Sequence, residues 1–390
     1  MQLTNLRLVG QNELKRIHIE NGRIVFVGSN EEPEPGSVHD KQLFFKEAIA
    51  FPGLINSHDH LDFNLFPRLG NHIYNSYTEW GTDIHRNNAE SISRVLNIPR
   101  HLRVQWGIYK NLLSGITTVA HHGAKPQLQQ DLISVCQEAD SFHSVSGEKG
   151  WRLKLVNPFK KNKPVVIHIG EGTVPAAFEE INDLIRWNIF HRTLIGIHGV
   201  AMNEKQAASF RSLVWCPAAN YFILNKTANI GLLKQHTKIL FGTDATLSAS
   251  WNIWEHLRLA RDQRMVSDTE LFDMLTTAPA DIWGLENSGS IAVNQWADII
   301  VAKPAAGVKG WDAFYGLNPE DILLVMHKGN IRLFDQDLHD QLKQAGYPLN
   351  DFYKICLGDN VKYVQGDLPG LMKEIRVYHP LINFPVTPCN

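Results

Sequence analysis

Short apolar runs alternate with amphipathic helical segments between about residue 100 and residue 283. The runs include GITTVAHH (115–122), RLKLV (152–156), PVVIHIGEG (164–172), TLIGIHGVAM (193–202), SLVWCPAAN (212–220) and KILFGTDAT (238–246). Segments such as LQQDLISVCQEA (128–139) and AAFEEINDLIRW (176–187) have helical spacing. Runs that are apolar on both faces and alternate with helices indicate a parallel sheet with helical crossovers. About eight such units fit an α/β (β/α)8 TIM barrel. We expect short connections at strands 3 and 4, because little chain separates His122 from His168.

Both ends of the chain have a different pattern, which is typical of β-strands. IHIENGRIVFVG alternates apolar and polar residues around Asn21-Gly22, a strong hairpin signal. Residues 289–304 and 322–335 also look like paired strands. The sequence therefore predicts a composite β-sandwich domain from residues 1–50 and 284–335, and a barrel over residues 51–283. Residues 336–390 form a C-terminal extension with one helix candidate, LHDQLKQAG, and no predicted role.

Composition and charge place the chain among ordinary globular proteins. It has 390 residues, 44% hydrophobic and 20% charged, and a net charge of −2. Such a balance gives no field that would attract nucleic acid or an anionic membrane. We see neither a signal peptide nor an apolar run of about 18 residues. The four cysteines form no C-x-x-C pair. We therefore expect a cytoplasmic, reduced protein whose partner is a small molecule.

Polar side chains follow the apolar runs at the ends of several predicted strands. His58 and His60 lie in the segment FPGLINSHDHLDF (51–63), and residues two apart point to the same side of an extended strand. His168, His198 and Asp244 each follow an apolar run in the same way. Active groups of a barrel lie at the carboxyl ends of its strands, so these side chains should converge.

The residue types in this set are those of a hydrolytic metal centre. Three neutral imidazoles (His58, His60 and His168) and the Asp244 carboxylate suit Zn2+ or Fe2+ with an open position for water. A bound metal lowers the pKa of that water from 15.7 to roughly 7, so hydroxide forms near neutral pH. Glu171, three residues after His168, is the candidate proton carrier, and His198 is the candidate that polarises the substrate.

With these motifs the chain resembles the amidohydrolase superfamily, specifically its mononuclear cytosine deaminase and chlorohydrolase-like branch. The matching pieces are PGLINSHDH, HIGE, IHG, CPAAN and GTD, and the resemblance covers roughly residues 1–330. It implies that His58, His60, His168 and Asp244 bind the metal. It also implies that Glu171 shuttles protons, that His198 binds substrate, that Asp244 accepts a proton from the attacking water, and that the protein is a homodimer.

Departures from the family pattern affect the substrate end of the site. Cys216-Pro217-Ala218-Ala219-Asn220 stands where the family has C-P-x-S-N, and Ala245 follows Asp244 where a serine is usual. His122 and Asn220 are further candidates for substrate binding. Tyr74, Tyr77 and Trp80 are candidates for an aromatic wall, with core packing as the alternative.

A second metal is a further possibility that the family allows. The dinuclear branch uses a carboxylated lysine on strand 4, for which Lys154 is the candidate, although an ordinary lysine is favoured. Glu171 in the H-x-x-E position also argues for one metal, because it supplies the base that a second metal would replace.

The predicted function is hydrolysis of a carbon–nitrogen bond other than a peptide bond. The favoured reaction is deamination of an amino-substituted heterocycle by metal-bound hydroxide. One alternative is hydrolysis of a cyclic amide or imidazolone ring, as in imidazolonepropionase or dihydroorotase. The other is a catalytically inert scaffold, although such relatives usually lose ligands, and all four are present here.

Overall fold

A computed structural model describes residues 1–30, 41–126, 128 and 131–389. Its strands, in chain order, are β1 (Gln2–Leu8), β2 (Leu14–Glu20), β3 (Arg23–Ser29), β4 (Gln42–Pro52), β5 (Leu54–Asp59), β6 (Ile116–His121), β7 (Ser134–Cys136), β8 (Asp140–Ser144), β9 (Val165–Ile169), β10 (Leu194–His198), β11 (Ser212–Trp215), β12 (Lys238–Phe241), β13 (Ile299–Ala302), β14 (Ile322–His327), β15 (Asn330–Asp335), β16 (Phe352–Leu357), β17 (Asn360–Gln365) and β18 (Thr387–Pro388).

Helices connect most of these strands. In chain order they are α1 (Tyr77–Asn87), α2 (Ala89–Leu96), α3 (Arg100–Leu113), α4 (Trp151–Leu155), α5 (Pro175–Trp187), α6 (Glu204–Ala207), α7 (Pro217–Leu224), α8 (Ile230–Leu233), α9 (Ile253–Asp262), α10 (Asp268–Asp273), α11 (Thr277–Ile282), α12 (Gly310–Tyr315), α13 (His339–Gln344) and α14 (Leu368–Tyr378). Within the described ranges, no helix is long and apolar enough to cross a membrane.

Strands β5 to β12 are the eight parallel strands of the predicted barrel. They form two hydrogen-bonded arcs, β5-β6-β7 and β8-β9-β10-β11-β12. The last strand meets the first where the backbone N–H groups of Thr243 and Asp244 both donate to the carbonyl of His58, at 3.1 and 3.0 Å. Every residue of β5, β9 and β10 is buried, as expected for barrel strands covered on both faces. The predicted (β/α)8 fold is confirmed.

The structure corrects the sequence reading of barrel strands 3 and 4. The segment 128–139, predicted to be helical, contains the three-residue strand β7, which pairs with β6 through Thr118 and Ser134. RLKLV, predicted to be a strand, forms helix α4, and β8 supplies the fourth strand instead. Pairing with a neighbouring strand outweighs local helical spacing in so short a segment. Lys154 therefore lies on a helix, where its ammonium group pairs with Glu148.

The remaining strands form one ten-stranded sheet, to which both ends of the chain contribute. Its order is β18-β16-β17-β15-β14-β13-β4-β1-β2-β3. Three strands from residues 352–388 extend this sheet, so the C-terminal segment adds to the same layer. Its helix candidate is observed as α13. The division of the chain into domains at residues 50 and 284 stays a prediction.

The cysteines differ from the expectation of four reduced thiols. Cys356 of β16 and Cys389 form a disulfide that ties the C-terminal segment to the edge of the sheet. Cys136 and Cys216 are free. No local pattern marks this pair, because the two cysteines are 33 residues apart and pairing depends on how the sheet edge folds.

Candidate metal centre and active site

The barrel brings the predicted polar residues together at the carboxyl ends of its strands. His58 lies on β5, His168 on β9 and His198 at the end of β10. His60 directly follows β5, and Asp244 comes three residues after the end of β12. His198 (φ 72°) and Asp244 (φ 58°) have left-handed backbone conformations. Such conformations are costly for residues other than glycine, and they cluster at functional sites.

Four side chains surround a space of the size that one metal ion needs. The Nε2 atom of His168 lies 3.2 Å from that of His58 and 3.3 Å from that of His60. Asp244 Oδ1 lies 3.5 Å from the Nε2 atoms of both His58 and His60. Ligand atoms that bind zinc tetrahedrally at 2.0–2.1 Å are about 3.3–3.4 Å apart. The donor set therefore fits one divalent ion.

Neighbouring groups fix the orientation of two of these donors. His168 Nδ1 lies 2.7 Å from the carbonyl oxygen of His143, so this nitrogen carries the proton and Nε2 is free to bind metal. The hydroxyl of Ser248 donates to Asp244 Oδ2 at 2.7 Å, which leaves Oδ1 facing the imidazoles. Outer hydrogen bonds of this kind are usual around metal sites.

Glu171 and His198 form a second polar pair beside the metal donors. Glu171 Oε2 lies 3.4 Å from His198 Nε2, and both side chains are buried. On the other edge of the His198 ring, Asn220 Nδ2 lies 2.9 Å from Nδ1. If the amide donates this bond, Nδ1 is the acceptor and Nε2 carries the proton. Asn220 is itself held by the hydroxyl of Thr227, which donates to Oδ1 at 3.3 Å.

Burial shifts the pKa values of these groups. Desolvation lowers the pKa of His60 to about 4 and that of His198 to about 3, so both are neutral at physiological pH. Burial also raises the pKa of Glu171 well above its usual range, and the charge of Asp244 adds to this shift. Burial alone would raise the pKa of Asp244, but the hydrogen bond from His58 and the electrostatic interaction with the surrounding imidazoles bring it well below its usual value.

A buried ion pair lies under the metal donors and joins the first and last barrel strands. Lys110 of α3 donates to Asp59 Oδ2 at 3.0 Å and to the hydroxyl of Thr243 at 3.1 Å. Asp59 stands between the two histidines of strand β5, and Thr243 precedes Asp244. Asn56 and Asn111 also donate to Asp59, so its carboxylate is well satisfied. Through Asp59 and Thr243, the network joins the chain segments that carry three donors, His58, His60 and Asp244.

Three of the four donors, His60, His168 and Asp244, line a cavity of about 740 Å3 with aromatic walls. Phe63 stacks on the His60 ring with centroids 5.4 Å apart, and Tyr77 and Trp80 also line the cavity. The Tyr77 hydroxyl hydrogen-bonds to Ser144 and Ser146. Tyr74, in contrast, is buried in the core and donates to Asp83.

The two further candidates for substrate binding, His122 and Asn220, differ in their access to the cavity. His122 lines the cavity, with its ring centroid 4.4 Å from that of His168. Asn220 is fully buried behind His198 and is not among the cavity-lining residues. Lys154, the candidate for a bridging lysine, lies outside the donor cluster on α4.

Three contributors to the site were missed in the sequence. Lys110 lies in a largely buried helix, where a lysine among apolar neighbours is unusual enough to have been a signal. Ser248 follows Asp244 by four residues and could have been found from that spacing. His143 contributes its backbone carbonyl, for which no side-chain pattern exists.

The comparisons with solved structures define the class of fold. An adenosine deaminase from Xanthomonas campestris with bound zinc aligns with 16% sequence identity and a TM-score of 0.67. The alignment covers 88% of this chain and 96% of that chain. An atrazine chlorohydrolase from Arthrobacter aurescens complexed with zinc aligns with 16% identity, coverage of 88% and 99%, and a TM-score of 0.63. A 5-methylcytosine deaminase from Klebsiella pneumoniae, liganded with phosphonocytosine, aligns with 13% identity, coverage of 85% and 97%, and a TM-score of 0.60.

The sequence comparison is consistent with this fold. The profile of the Amidohydrolase family matches residues 154–332, which include His168, Glu171, His198 and Asp244. No curated protein sequence matches the chain. The resemblance to the amidohydrolase superfamily, predicted from the strand-end motifs, is confirmed.

Proposed function

We propose that this protein is a hydrolase that uses one divalent metal ion to cleave a carbon–nitrogen bond, and that it deaminates an amino-substituted heterocycle. The observation that carries the proposal is the Glu171–His198 pair, which lies at the floor of the aromatic cavity beside the donor set. A metal site alone would fit many reactions. A buried proton carrier next to a neutral hydrogen-bond donor is what hydrolysis of an amidine-like carbon requires.

The donor set His58, His60, His168 and Asp244 would hold the ion, Zn2+ or Fe2+. When bound, the ion acts as a Lewis acid and makes water a nucleophile near neutral pH. The overall change adds water across the C–N bond, so that the ring carbon gains oxygen and the amino group leaves as ammonia.

The roles of the side chains follow from their positions. Glu171 takes a proton from the attacking water, gives it to the ring nitrogen, and with Asp244 carries the next proton to the leaving amine. Its raised pKa suits this exchange, because a more basic carboxylate accepts a proton from water more readily. His198 presents Nε2 to the ring and orients it, and Asn220 fixes the tautomer in which Nε2 is a donor.

The cavity supports a flat, ring-shaped substrate. Phe63, Tyr77 and Trp80 offer aromatic faces above the donor set, and aromatic rings stack on such faces. The names of the similar structures support this choice, since adenosine and 5-methylcytosine are amino-substituted heterocycles. The atrazine chlorohydrolase shows that the fold also accommodates an enzyme named for a triazine.

Two further predictions concern the setting of the enzyme. We propose a homodimer from the resemblance alone. A cytoplasmic location also stays a proposal, against which the Cys356–Cys389 disulfide argues, because disulfides are rare in reducing compartments.

The test is an ammonia-release screen of metal-loaded protein over pterins, purines, pyrimidines, triazines and guanidino compounds. The proposal predicts release from at least one amino-substituted ring and none after Asp244→Asn. Lys154→Ala is the matched control and should keep the activity, because Lys154 lies outside the donor cluster. A new carboxylate without ammonia would instead indicate ring opening of a cyclic amide. Bound metal without turnover of any compound would favour an inert scaffold.

A further inference from the structure

His122 is a buried imidazole at the end of a barrel strand that contributes no donor to the set described above. It follows β6 directly, and its backbone N–H donates to the carbonyl of Asp59 at 2.9 Å. Asp59 lies between His58 and His60, so this bond fixes His122 beside the metal donors. Only 6% of His122 is exposed.

The His122 ring lies within reach of the same space as the other imidazoles. Its centroid is 4.4 Å from that of His168 and 5.4 Å from those of His58 and His60. One nitrogen each from His58, His122 and His168 lie within 4.8 Å of one another, a spacing that a shared metal ion could bridge after a small rotation of the ring. His58 belongs both to this group and to the group with His60 and Asp244.

The hydrogen bonding of His122 is incomplete. Its Nδ1 atom is buried and has no hydrogen-bond partner among the described residues. An unsatisfied buried polar atom costs about 1–3 kcal/mol, so its presence calls for a missing partner. A cation held among His58, His122 and His168 would give these neutral imidazoles a common partner.

We propose that His122 is a fifth protein ligand of the metal centre, which then has four imidazoles and one carboxylate. Such a donor set leaves room for one water on an ion that accepts six ligands. Fe2+ and Co2+ adopt that number more readily than Zn2+, which favours four. The proposal rests on the metal centre of the proposed function and not on the identity of the substrate.

The extended X-ray absorption fine structure of the bound metal tests this ligand directly, because scattering from imidazole rings reports how many of them coordinate the ion. Wild-type protein loaded with one equivalent of Co2+ should show four imidazoles, and His122→Ala should show three. The dissociation constant for Co2+, from competition with a chelating dye, should rise about 10–100-fold in His122→Ala. Unfolding of the metal-free proteins, followed in parallel, separates a lost ligand from a damaged fold.

His85→Ala is the matched control, since His85 lines the same cavity but belongs to neither donor group. It should keep four imidazoles and the wild-type affinity. Three imidazoles in the wild-type protein would overturn the proposal and return His122 to the substrate side of the cavity. If His122→Ala does not fold, the number of imidazoles bound to Co2+ in the wild-type protein still tests the proposal. Failure here would leave ammonia release unaffected, so the two proposals fail separately.

Discussion

Glu171 and His198 face each other across 3.4 Å at the carboxyl ends of neighbouring barrel strands. The parallel pairing of β9 and β10 sets this distance, since His198 is in register with Ile169, two residues before Glu171. Both side chains are buried and line the cavity beside the metal donors. In the proposed reaction, both side chains therefore act on a substrate held beside them in that cavity.

Glu171→Gln should abolish most of the activity and leave the metal site intact. Removal of a positioned proton carrier lowers kcat about 10²–10⁴-fold, while the donor atoms of the metal are unchanged. The measurement is ammonia release, with metal content determined on the same samples. Glu179→Gln, an exposed change on α5, should leave both unaffected. Full activity of Glu171→Gln would remove Glu171 from the mechanism.

Asn220→Asp should impair turnover through the tautomer of His198. A carboxylate can only accept a hydrogen bond, so His198 Nδ1 would carry the proton and Nε2 would lose its donor. We expect kcat to fall about 10–100-fold, with KM changed less and metal content unchanged. Asn225→Asp makes the same substitution at an exposed position on the end of α7 and should have wild-type kinetics. Wild-type kinetics in Asn220→Asp would contradict this role.

Lys110 and Asp59 should be coupled in stability. Lys110→Met leaves a buried carboxylate without its cation, which should lower the free energy of unfolding by about 3–5 kcal/mol. The double variant Asp59→Asn/Lys110→Met removes both charges and should recover much of that loss. Denaturant unfolding of the wild type, Asp59→Asn, Lys110→Met and the double variant gives the interaction energy. Losses that simply add would show that the pair is not coupled.

Glu180 should make stability depend on pH near neutrality. Burial raises its pKa from 4.5 to about 7, and its Oε1 accepts from the backbone N–H of Gly170 at 2.8 Å. The folded state thus binds this proton more tightly than the unfolded state, so stability falls as pH rises from 4.5 through 7.

Replacement of Glu180 by glutamine isolates this effect. Glu180→Gln keeps the acceptor and should be more stable than the wild type at pH 8 by on the order of 1–2 kcal/mol, a value reduced for partial exposure. The two should be nearly equal at pH 4. Unfolding midpoints from pH 4 to pH 8 check this, with Glu179→Gln as the control. Parallel curves for wild type and Glu180→Gln would refute the assignment.

The sequence predicted the barrel because each strand-end polar residue, the proposed metal donors among them, lies in or just after a run of residues that is buried on both faces. Strand ends of that kind are local features, and the fold then brings them together. Strands 3 and 4 could not be predicted, because the three residues of β7 are held by pairing with β6 rather than by their own propensity. The contact between Asn220 and His198 depends on how α7 packs against β10, which no local pattern encodes.

The most direct test of the central claim is ammonia release measured while metal-free protein is titrated with Zn2+ or, without oxygen, with Fe2+. With a cognate amino-substituted heterocycle, the rate should rise linearly and reach a plateau at one ion per chain. His60→Ala should stay inactive at that ratio, because it lacks one of the four donors. Equal rates with and without metal, or full activity of His60→Ala at one equivalent, would contradict a single metal centre built from His58, His60, His168 and Asp244.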